Sequence, residues 1–328
     1  MLLKFFTIED FKDSFPYTAL GARVCYNSGD LNSLLNDPRV VDRQKRAEFL
    51  SKLGNYKHFS VFAHCFVYKK VGEENALKIA ATYFKTHYNP KYPDVVGVSL
   101  RHYLEELLKT DENEYSKAFE KLAEYDTPVK PLETITEGNL MVSLIGLKRE
   151  YDGYAVFFID GISRAMTHQL VRHTTLNFSQ RSQRYVREDE NYVIMPPSIL
   201  ESQEEIELDI SAMNQTIAKI YEVLKNLKGE IPKPEILDTK SKVKAYDLAK
   251  LHDELSQYIY DLLVYGYKIK REDARFFLPT GRRTTIVVSS TLNWIKDFIE
   301  KRNNTHAQWE IRNVAKIMKE ILEKQGVW

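Results

Sequence analysis

The stretch VRHTTLNFSQRSQRYVRE, from Val171 to Glu188, concentrates cationic and hydrogen-bonding side chains. Its cationic residues are Arg172, His173, Arg181, Arg184 and Arg187, interleaved with serine and glutamine. No Asp or Glu occurs between Gly161 and Arg187. Guanidinium groups bind phosphate through paired hydrogen bonds, and hydroxyl and amide groups complete such a site. The stretch therefore predicts a site for a phosphorylated ligand, with a solvated basic strip as the alternative.

The chain as a whole carries no comparable excess of positive charge. Its 328 residues include 47 Lys and Arg and 46 Asp and Glu, a formal net charge of +1. This balance indicates no general attraction to nucleic acid or to an anionic membrane, so an anion site must be local. The hydrophobic fraction of 43% is typical of a globular protein with a sizeable core.

Cysteine content and the N-terminal stretch indicate the compartment. Cys25 and Cys65 are the only cysteines, which are too few for a disulfide framework and show no metal-ligand spacing. The stretch MLLKFFTIEDFKDSF carries acidic residues early and has no long apolar core, so no signal peptide is expected. No run approaches the roughly 18 apolar residues of a spanning helix. These features predict a cytoplasmic protein with no metal and no membrane contact.

Hydrophobic periodicity predicts an α+β fold. Helices are expected at residues 39–54, 99–110, 161–175, 204–229, 245–267, up to 302 and 307–324, and strands at 58–69, 154–160 and 284–289. A turn is expected at Pro279–Gly281, and residues from about 72 to 150 are expected to be helical and heterogeneous. The elements show no regular βαβ alternation, which favours α+β.

The predicted helix over 161–175 carries polar side chains at helical spacing. Arg164, His168 and Arg172 lie at i, i+4 and i+8, with Gln169 and His173 beside them. A solvated basic face is the alternative to a binding surface. Glutamine can hydrogen-bond the edge of a base or of a flavin ring, which makes Gln169 and Gln180 candidates.

Two more segments share this character. Residues 275–296 contain no acid but hold Arg275, and KRNNTHAQWEIR (301–312) holds Arg302 and His306. Phosphate-binding and dinucleotide-binding glycine motifs are missing from the sequence, as is a nucleophile elbow. Ser182 has no neighbouring base and is interpreted as a hydrogen-bond donor. From the residues alone, we expect a soluble protein whose Arg, His and Gln segments meet at a phosphorylated ligand.

These residues resemble the flavin-dependent thymidylate synthases. The family signature is RHR, seven residues and Ser, and here Arg172-His173-Thr174 is followed at that spacing by Ser182. SQRSQRY completes the pattern at Tyr185. Further matches occur in the family's order, and they are GARVCYNS (21–28), HFSVFAH (58–64), ARFFLP (274–279) and HAQWEIR (306–312).

The resemblance implies a fold and an activity. Its fold is a single domain over 1–328, with a central antiparallel sheet flanked by helices, in a homotetramer whose active sites several subunits share. Its activity is conversion of dUMP to dTMP, with methylenetetrahydrofolate as carbon donor, FAD as mediator and NADPH as reductant. A nucleophilic cysteine is not required, and Cys25 and Cys65 lie outside the signature.

The resemblance also implies the site residues. Those for dUMP are Gln169, Arg172, Gln180, Ser182, Arg184, Arg275 and Arg302. Those for FAD are His58, Ser60, Arg172, His173, Thr174, Thr175, Asn177, Gln180, Asn293, Asp297 and His306. Arg302 is the catalytic candidate, because a guanidinium can polarise the pyrimidine carbonyl and make the ring a better hydride acceptor. The hydride chemistry itself belongs to the flavin.

The chain departs from the family pattern in several places. Thr174 replaces the third signature residue, Arg, which removes a cationic contact to the flavin nucleotide, and Ala63 replaces a Glu. Asp297 stands where the family has Asn. Inserts are predicted at about 70–150 and 225–245. Two alternatives stay open: a paralogue that binds dUMP without efficient flavin chemistry, and an RNA-binding module that uses the basic strip.

Overall fold

Helices and antiparallel strands follow one another irregularly in the computed structural model, which describes residues 1–125, 128–188, 192–229, 231–234 and 242–328. The described helices are α1 (Pro16–Tyr26), α2 (Leu31–Leu35), α3 (Pro38–Val41), α4 (Arg43–Asn55), α5 (Glu73–Thr82), α6 (Leu100–Thr110), α7 (Glu112–Leu122), α8 (Arg164–Leu170), α9 (Pro197–Glu201), α10 (Ser211–Lys228), α11 (Ala245–Asp261), α12 (Arg271–Ala274), α13 (Leu292–Arg302) and α14 (Trp309–Lys324). The described strands are β1 (Phe66–Lys70), β2 (Val95–Ser99), β3 (Glu133–Glu137), β4 (Leu140–Lys148), β5 (Tyr154–Ser163), β6 (Asn177–Gln180), β7 (Glu205–Glu207), β8 (Lys242–Lys244) and β9 (Arg283–Thr291).

A five-stranded sheet in the order β3-β4-β5-β9-β6 carries the candidate residues Asn177 and Gln180 on its edge strand β6. The pairs β3–β4, β4–β5 and β6–β9 are antiparallel. Strand β5 is buried along its whole length, and alternate side chains enter different clusters because a strand has period two. Phe157 and Ile159 join a cluster with side chains of α13 and α14, whereas Val156 and Phe158 join one with side chains of α1. The sheet is therefore covered on both faces, and the α+β prediction is confirmed.

The chain divides into two compact units that are interleaved in sequence. Unit 1 comprises residues 1–162, 166–181 and 285–328, and unit 2 comprises 163–165 and 182–284. Unit 1 has two large hydrophobic clusters, one around the helices α1, α4, α6 and α7 and the other around α13 and α14. Unit 2 has a small core between α10 and α11. The single-domain prediction stays a prediction.

The two predicted inserts fall in different units. Residues 70–150 belong to unit 1, where they form α5, β2, α6, α7, β3 and β4. The helical prediction for this segment is correct for α5, α6 and α7 and misses the strands β2, β3 and β4. Val95–Ser99 is buried along its whole length and Leu140–Lys148 over its five central residues, so neither strand shows the alternation that marks a half-buried strand in a sequence. Of the second insert, 225–229, 231–234 and 242–245 are described, and the rest lies outside the described residues.

The predicted strand over 58–69 is correct only in its second half. Phe59–His64 forms a 3-10 helix, and β1 begins at Phe66. Val61, Phe62 and His64 are all buried, so the apparent alternation does not separate a core face from a solvent face.

The helix predicted over 161–175 is shorter in the structure than its sequence pattern indicates. Residues 161–163 continue β5 instead: Gly161 has a φ of +75°, which a right-handed helix does not contain, and a Cβ there would meet a backbone oxygen. Helix α8 begins at Arg164 and ends at Leu170. Arg172 and His173 therefore lie beyond its last turn, and the predicted stripe of three cationic residues does not form on one helix.

The remaining element predictions hold with one division and small shifts at the ends. The helix predicted over 39–54 is divided at Asp42, which has extended backbone, into α3 and α4, and α4 continues to Asn55, one residue past the expected stop at Gly54. The helix predicted over 204–229 begins only at Ser211, because Glu205–Glu207 pairs as a short strand. Helices α6, α11, α13 and α14 and strands β5 and β9 lie where they are expected.

Candidate functional site

Arg302 and His173 meet in unit 1, although 129 positions separate them. Arg302 is the last residue of α13, and His173 follows α8. The guanidinium Nε–H of Arg302 donates to Nε2 of His173 at 2.9 Å. The imidazole also packs edge-on against the ring of Phe298, with the two ring centroids 4.9 Å apart. Arg302, which is predicted to contact the pyrimidine, therefore hydrogen-bonds His173, which is predicted to contact the flavin.

This contact determines the charge state of His173. An arginine can only donate, so Nε2 must present a lone pair, and the neutral ring carries its proton on Nδ1. Burial lowers the pKa of His173, and the positive charges of Arg302 and Lys301 lower it further, while Asp297 opposes them. The side chain is therefore an uncharged hydrogen-bonding group near neutral pH.

Other candidates in unit 1 lie on or beside the segment 172–180, which contains His173. Gln180 Nε2 donates to the hydroxyl of Thr167 at 3.0 Å, and the hydroxyl of Ser290 donates to the carbonyl of Thr175 at 2.9 Å. Arg172 and Thr174 are exposed, and Gln169 is half-buried. Hydrogen bonds to β9 and α8 thus fix the two sides of the segment, while its tip faces solvent.

A buried polar network lies behind this segment. His64 is fully buried, and its two ring nitrogens lie 2.8 Å from the hydroxyls of Ser289 and Ser179. Burial, assisted by the charge of Lys85, lowers the pKa of His64 to about 3. A Cβ on Gly21 would stand 2.7 Å from the His64 ring, so only glycine allows α1 to approach this closely.

The network extends to Tyr154 and Asn177. The Tyr154 hydroxyl lies 2.8 Å from that of Ser289, donates to the carbonyl of Ala63 at 2.9 Å and accepts from Asn177 Nδ2 at 3.2 Å. Its ring stacks on Phe66, with centroids 4.3 Å apart. Sequence reasoning missed Tyr154 and Ser289; the only available signal was their place in two predicted strands.

A cavity of about 210 Å³ opens beside the network in unit 1. Its lining residues are Phe66, Phe84, Lys85, Thr86, Tyr154, Thr175, Asn177, Ser290, Thr291 and Trp294. Two of them, Thr175 and Asn177, are among the predicted FAD residues. The lining combines aromatic faces, hydroxyl and amide groups and one ammonium, a mixture that suits part of a nucleotide.

The other predicted FAD residues of unit 1 are placed differently. His58 Nδ1 lies 2.8 Å from the hydroxyl of Tyr26, and Ser60 and His306 are exposed. Asn293 hydrogen-bonds the carboxylate of Asp152, and Asp297 pairs with Lys301 at 2.7 Å. The cavity lining includes none of these five residues.

Unit 2 brings together three predicted dUMP residues. The backbone N–H of Arg184 donates to the hydroxyl of Ser182 at 3.2 Å, and its guanidinium pairs with the carboxylate of Glu272 at 3.2 Å. Arg275 Nε donates to the backbone carbonyl of Glu272 at 3.1 Å. Two arginines therefore converge on one residue of α12, and the ion pair is exposed and weak enough for an anionic ligand to replace it.

The cysteines are unsuited to nucleophilic attack. Burial raises the pKa of the Cys25 thiol to about 11 and raises that of the fully buried Cys65 as well. A thiol attacks as its thiolate, so both groups are inactive near neutral pH.

Among the described residues, no group of three His, Cys, Asp or Glu side chains could hold a metal ion. None of the described helices is long and apolar enough to cross a membrane.

Comparison with known proteins identifies relatives by sequence. The family model described as thymidylate synthase complementing protein matches residues 153–325, which is more than half of the chain. A flavin-dependent thymidylate synthase of Clostridium tetani is 35% identical over 175 residues, 51% of this chain and 57% of that protein. One from Pyrococcus abyssi is 33% identical over 174 residues, 52% of this chain and 54% of that protein. The chain spans about half the length of the curated relatives it matches.

Solved structures give a weaker similarity. Thymidylate synthase X from Helicobacter pylori, crystallised with FAD and dUMP, matches at 19% identity with a TM-score of 0.32, over 51% of this chain and 65% of that chain. The UMP/dUMP methylase PolB from Streptomyces cacaoi, bound with 5-Br dUMP, matches at 20% identity with a TM-score of 0.36, over 52% and 67% of the respective chains. The family assignment rests instead on the sequence match: the chain belongs to the thymidylate synthase complementing protein family, that of the flavin-dependent thymidylate synthases.

Proposed function

We propose that this protein converts dUMP to dTMP, with methylenetetrahydrofolate as carbon donor, FAD as mediator and NADPH as reductant. The contact between Arg302 and His173 carries the proposal. It joins the residue assigned to the pyrimidine with one assigned to the flavin, across 129 positions of sequence. A merely basic surface would not need a neutral imidazole fixed against a guanidinium.

Arg302 is the proposed catalytic residue. Its Nε–H is used by His173, which leaves the two terminal NH₂ groups for a ligand. A guanidinium held in advance stabilises negative charge that develops on a pyrimidine carbonyl, at no cost of reorganisation. FAD, when bound, would supply the hydride. The role of Arg302 is then to make the pyrimidine ring accept it.

The residues around the cavity fit a flavin nucleotide. Asn177 and Thr175 offer hydrogen-bonding groups, and Phe84 and Trp294 offer aromatic faces. Lys85 offers a positive charge. We assign the cavity to part of FAD and the predicted residues His58, Ser60 and His306 to other parts of it.

Ser182, Arg184 and Arg275 are the proposed phosphate ligands of dUMP. A phosphate carries more negative charge and more acceptor oxygens than the carboxylate of Glu272, with which Arg184 now pairs. Bidentate contact from Arg184 is therefore the expected state with nucleotide bound. Gln169, Gln180 and Arg172 are proposed for the nucleoside part.

The co-substrates and the assembly belong to the same proposal. The inert thiols support it, since a chemistry without a nucleophilic cysteine needs another route to activate the ring. We propose NADPH and methylenetetrahydrofolate as co-substrates, a homotetramer with shared active sites and a cytoplasmic location. Sedimentation of the purified protein tests the tetramer directly.

An anaerobic assay tests the function. The full chain is incubated with FAD, NADPH, methylenetetrahydrofolate and dUMP, and dTMP is measured. Arg302→Ala should lower the rate by at least about 100-fold, the typical loss on removing a charge-stabilising donor. Arg43→Ala, which removes an exposed arginine at the start of α4, is the matched control and should retain full activity.

The outcomes separate the alternatives. No dTMP from a protein whose thermal unfolding is shifted by dUMP would favour the paralogue that only binds nucleotide. Salt-sensitive retention of RNA without a dUMP shift would favour the RNA-binding module. Full activity of Arg302→Ala would remove Arg302 from the catalytic role.

A further inference from the structure

Lys85 occupies a strained turn at the edge of the cavity. It lies between α5 and the bridge that His87 forms with Gly97. Its φ is +64°, a left-handed conformation that costs a side-chain-bearing residue free energy. The turn is held by His102, whose Nε2 donates to the carbonyl of Phe84 at 2.6 Å. Such a conformation persists only where the surrounding structure enforces it.

The ammonium of Lys85 is directed to the signature segment, residues 172–182. Its Nζ donates to the backbone carbonyl of Leu176 at 2.6 Å, between the cavity residues Thr175 and Asn177. One hydrogen bond leaves two of its three N–H groups for other acceptors. Lys85 belongs to the segment predicted as an insert, so an insert residue reaches the signature.

The charge of Lys85 is not neutralised within the described chain. Among the described residues, no carboxylate lies within ion-pairing distance of its Nζ. Burial lowers its pKa, and so does the positive charge of Arg101. The half-buried ammonium lies 5.7 Å from the centroid of the Phe84 ring, a contact that offsets only part of the cost of burying a charge, and an anion at the cavity would offset more of it.

The cavity is suited to one end of a dinucleotide. Its volume of about 210 Å³ is below the roughly 300 Å³ at which pockets for whole drug-sized ligands begin. Phe84 and Trp294, exposed by 69% and 42%, flank it and can stack on a ring that extends outward. The combination of cation, amide and aromatic faces matches a phosphate and the group attached to it.

We infer that Lys85 binds a phosphate of FAD at this cavity, and so provides from the inserted segment the positive charge that Thr174 does not. The inference rests on the proposed function, because it requires that FAD bind this protein. Lys85 is a binding residue in this role and takes no part in the transfer of hydride.

The experiment measures flavin binding by the full chain without turnover. Dissociation constants for FAD and for riboflavin, which has no phosphate, are obtained from flavin fluorescence for wild type, Lys85→Met and Lys85→Arg. The control is Lys268→Met, since Lys268 is also left-handed, with a φ of +59°, and its Nζ also donates to a carbonyl, that of Tyr265 at 2.6 Å. Thermal unfolding checks that each variant is folded.

Lys85→Met should weaken FAD by about tenfold, the equivalent of one charge-assisted hydrogen bond of roughly 1.4 kcal/mol, and change riboflavin by less than twofold. Lys85→Arg should bind FAD nearly as wild type does, with Lys268→Met unchanged. Equal FAD affinity in Lys85→Met and wild type, or equal losses of FAD and riboflavin, would overturn the inference. A wild type that binds no flavin would instead overturn the proposed function, and this inference with it.

Discussion

The guanidinium of Arg302 and the imidazole of His173 lie 2.9 Å apart, with arginine as the donor. Two consequences follow for the site. The ring is held as one neutral tautomer, and one edge of the guanidinium is fixed, so its remaining N–H groups point in a defined direction. The pair thus links the end of α13 to the turn after α8, two segments that the sequence shows only as separate clusters.

The pKa of His173 should rise in Arg302→Ala. The positive charge of Arg302 disfavours the imidazolium, and its removal lifts that effect while the burial of the ring still lowers the pKa. We expect the pKa to move toward, and stay below, its ordinary value of about 6.5. NMR titration of the His173 ring protons measures it, with Arg43→Ala as the unshifted control. A pKa that stays in place or falls would contradict the assigned contact.

His64 should make the stability of unit 1 depend on pH. Its pKa is about 3 in the folded protein and about 6.5 when unfolded, so between these values only the unfolded state binds the proton. The free energy of unfolding should therefore fall as pH falls below 6.5, by up to about 1.4 kcal/mol per pH unit from this group. Above pH 6.5 the histidine is neutral in both states and contributes no slope.

Urea unfolding between pH 7 and pH 4.5 measures this effect. His64→Gln lacks the titrating group, so its stability should vary less with pH than that of wild type, although it is less stable at pH 7. His306→Gln, which changes an exposed histidine of the same unit, should keep the wild-type slope. Equal slopes in His64→Gln and wild type would contradict the explanation.

The sequence predicts elements whose own residues determine them. The run TTIVVSST makes β9 recognisable because its β-branched residues suit a buried strand, and the heptad-like spacing of Ile311, Val314 and Met318 marks α14. In contrast, Phe59–His64 is a 3-10 helix because packing from several directions buries Val61, Phe62 and His64, which no local period records.

In the candidate site too, some residues can be predicted from the local sequence and others are brought together only by packing. Residue types and signature spacing point to Arg172, His173 and Arg302 without a structure. The buried network does not emerge in this way, since His64 and Ser289 are 225 positions apart and meet only through the packing of α1, β6 and β9. The role of Lys85 is hidden for the same reason, because nothing in the sequence places it against Leu176.

Gly21→Ala should destabilise the protein, against the usual trend for helices. Alanine in place of a helical glycine normally gains up to about 1 kcal/mol. Here the new Cβ would stand 2.7 Å from the ring of His64, which is fully buried and bonded at both nitrogens. We expect a net loss of about 1–3 kcal/mol, typical of overpacking. Urea unfolding at pH 7 measures it, and a gain in stability would show that the ring can move aside.

Arg184→Ala should weaken dUMP binding by at least about tenfold, the equivalent of one charge-assisted hydrogen bond, and leave FAD affinity unchanged. Glu272→Gln provides the complementary test, because it removes the carboxylate with which Arg184 pairs at 3.2 Å. If phosphate competes with that carboxylate, Glu272→Gln should bind dUMP as tightly as wild type or more tightly. Isothermal titration with dUMP measures both variants, and Arg187→Ala, an exposed arginine of the same strip, is the control. Equal losses of dUMP affinity in Arg184→Ala and Arg187→Ala would show that the strip is a diffuse basic surface and not a phosphate site. That is the alternative that the composition of the strip alone leaves open.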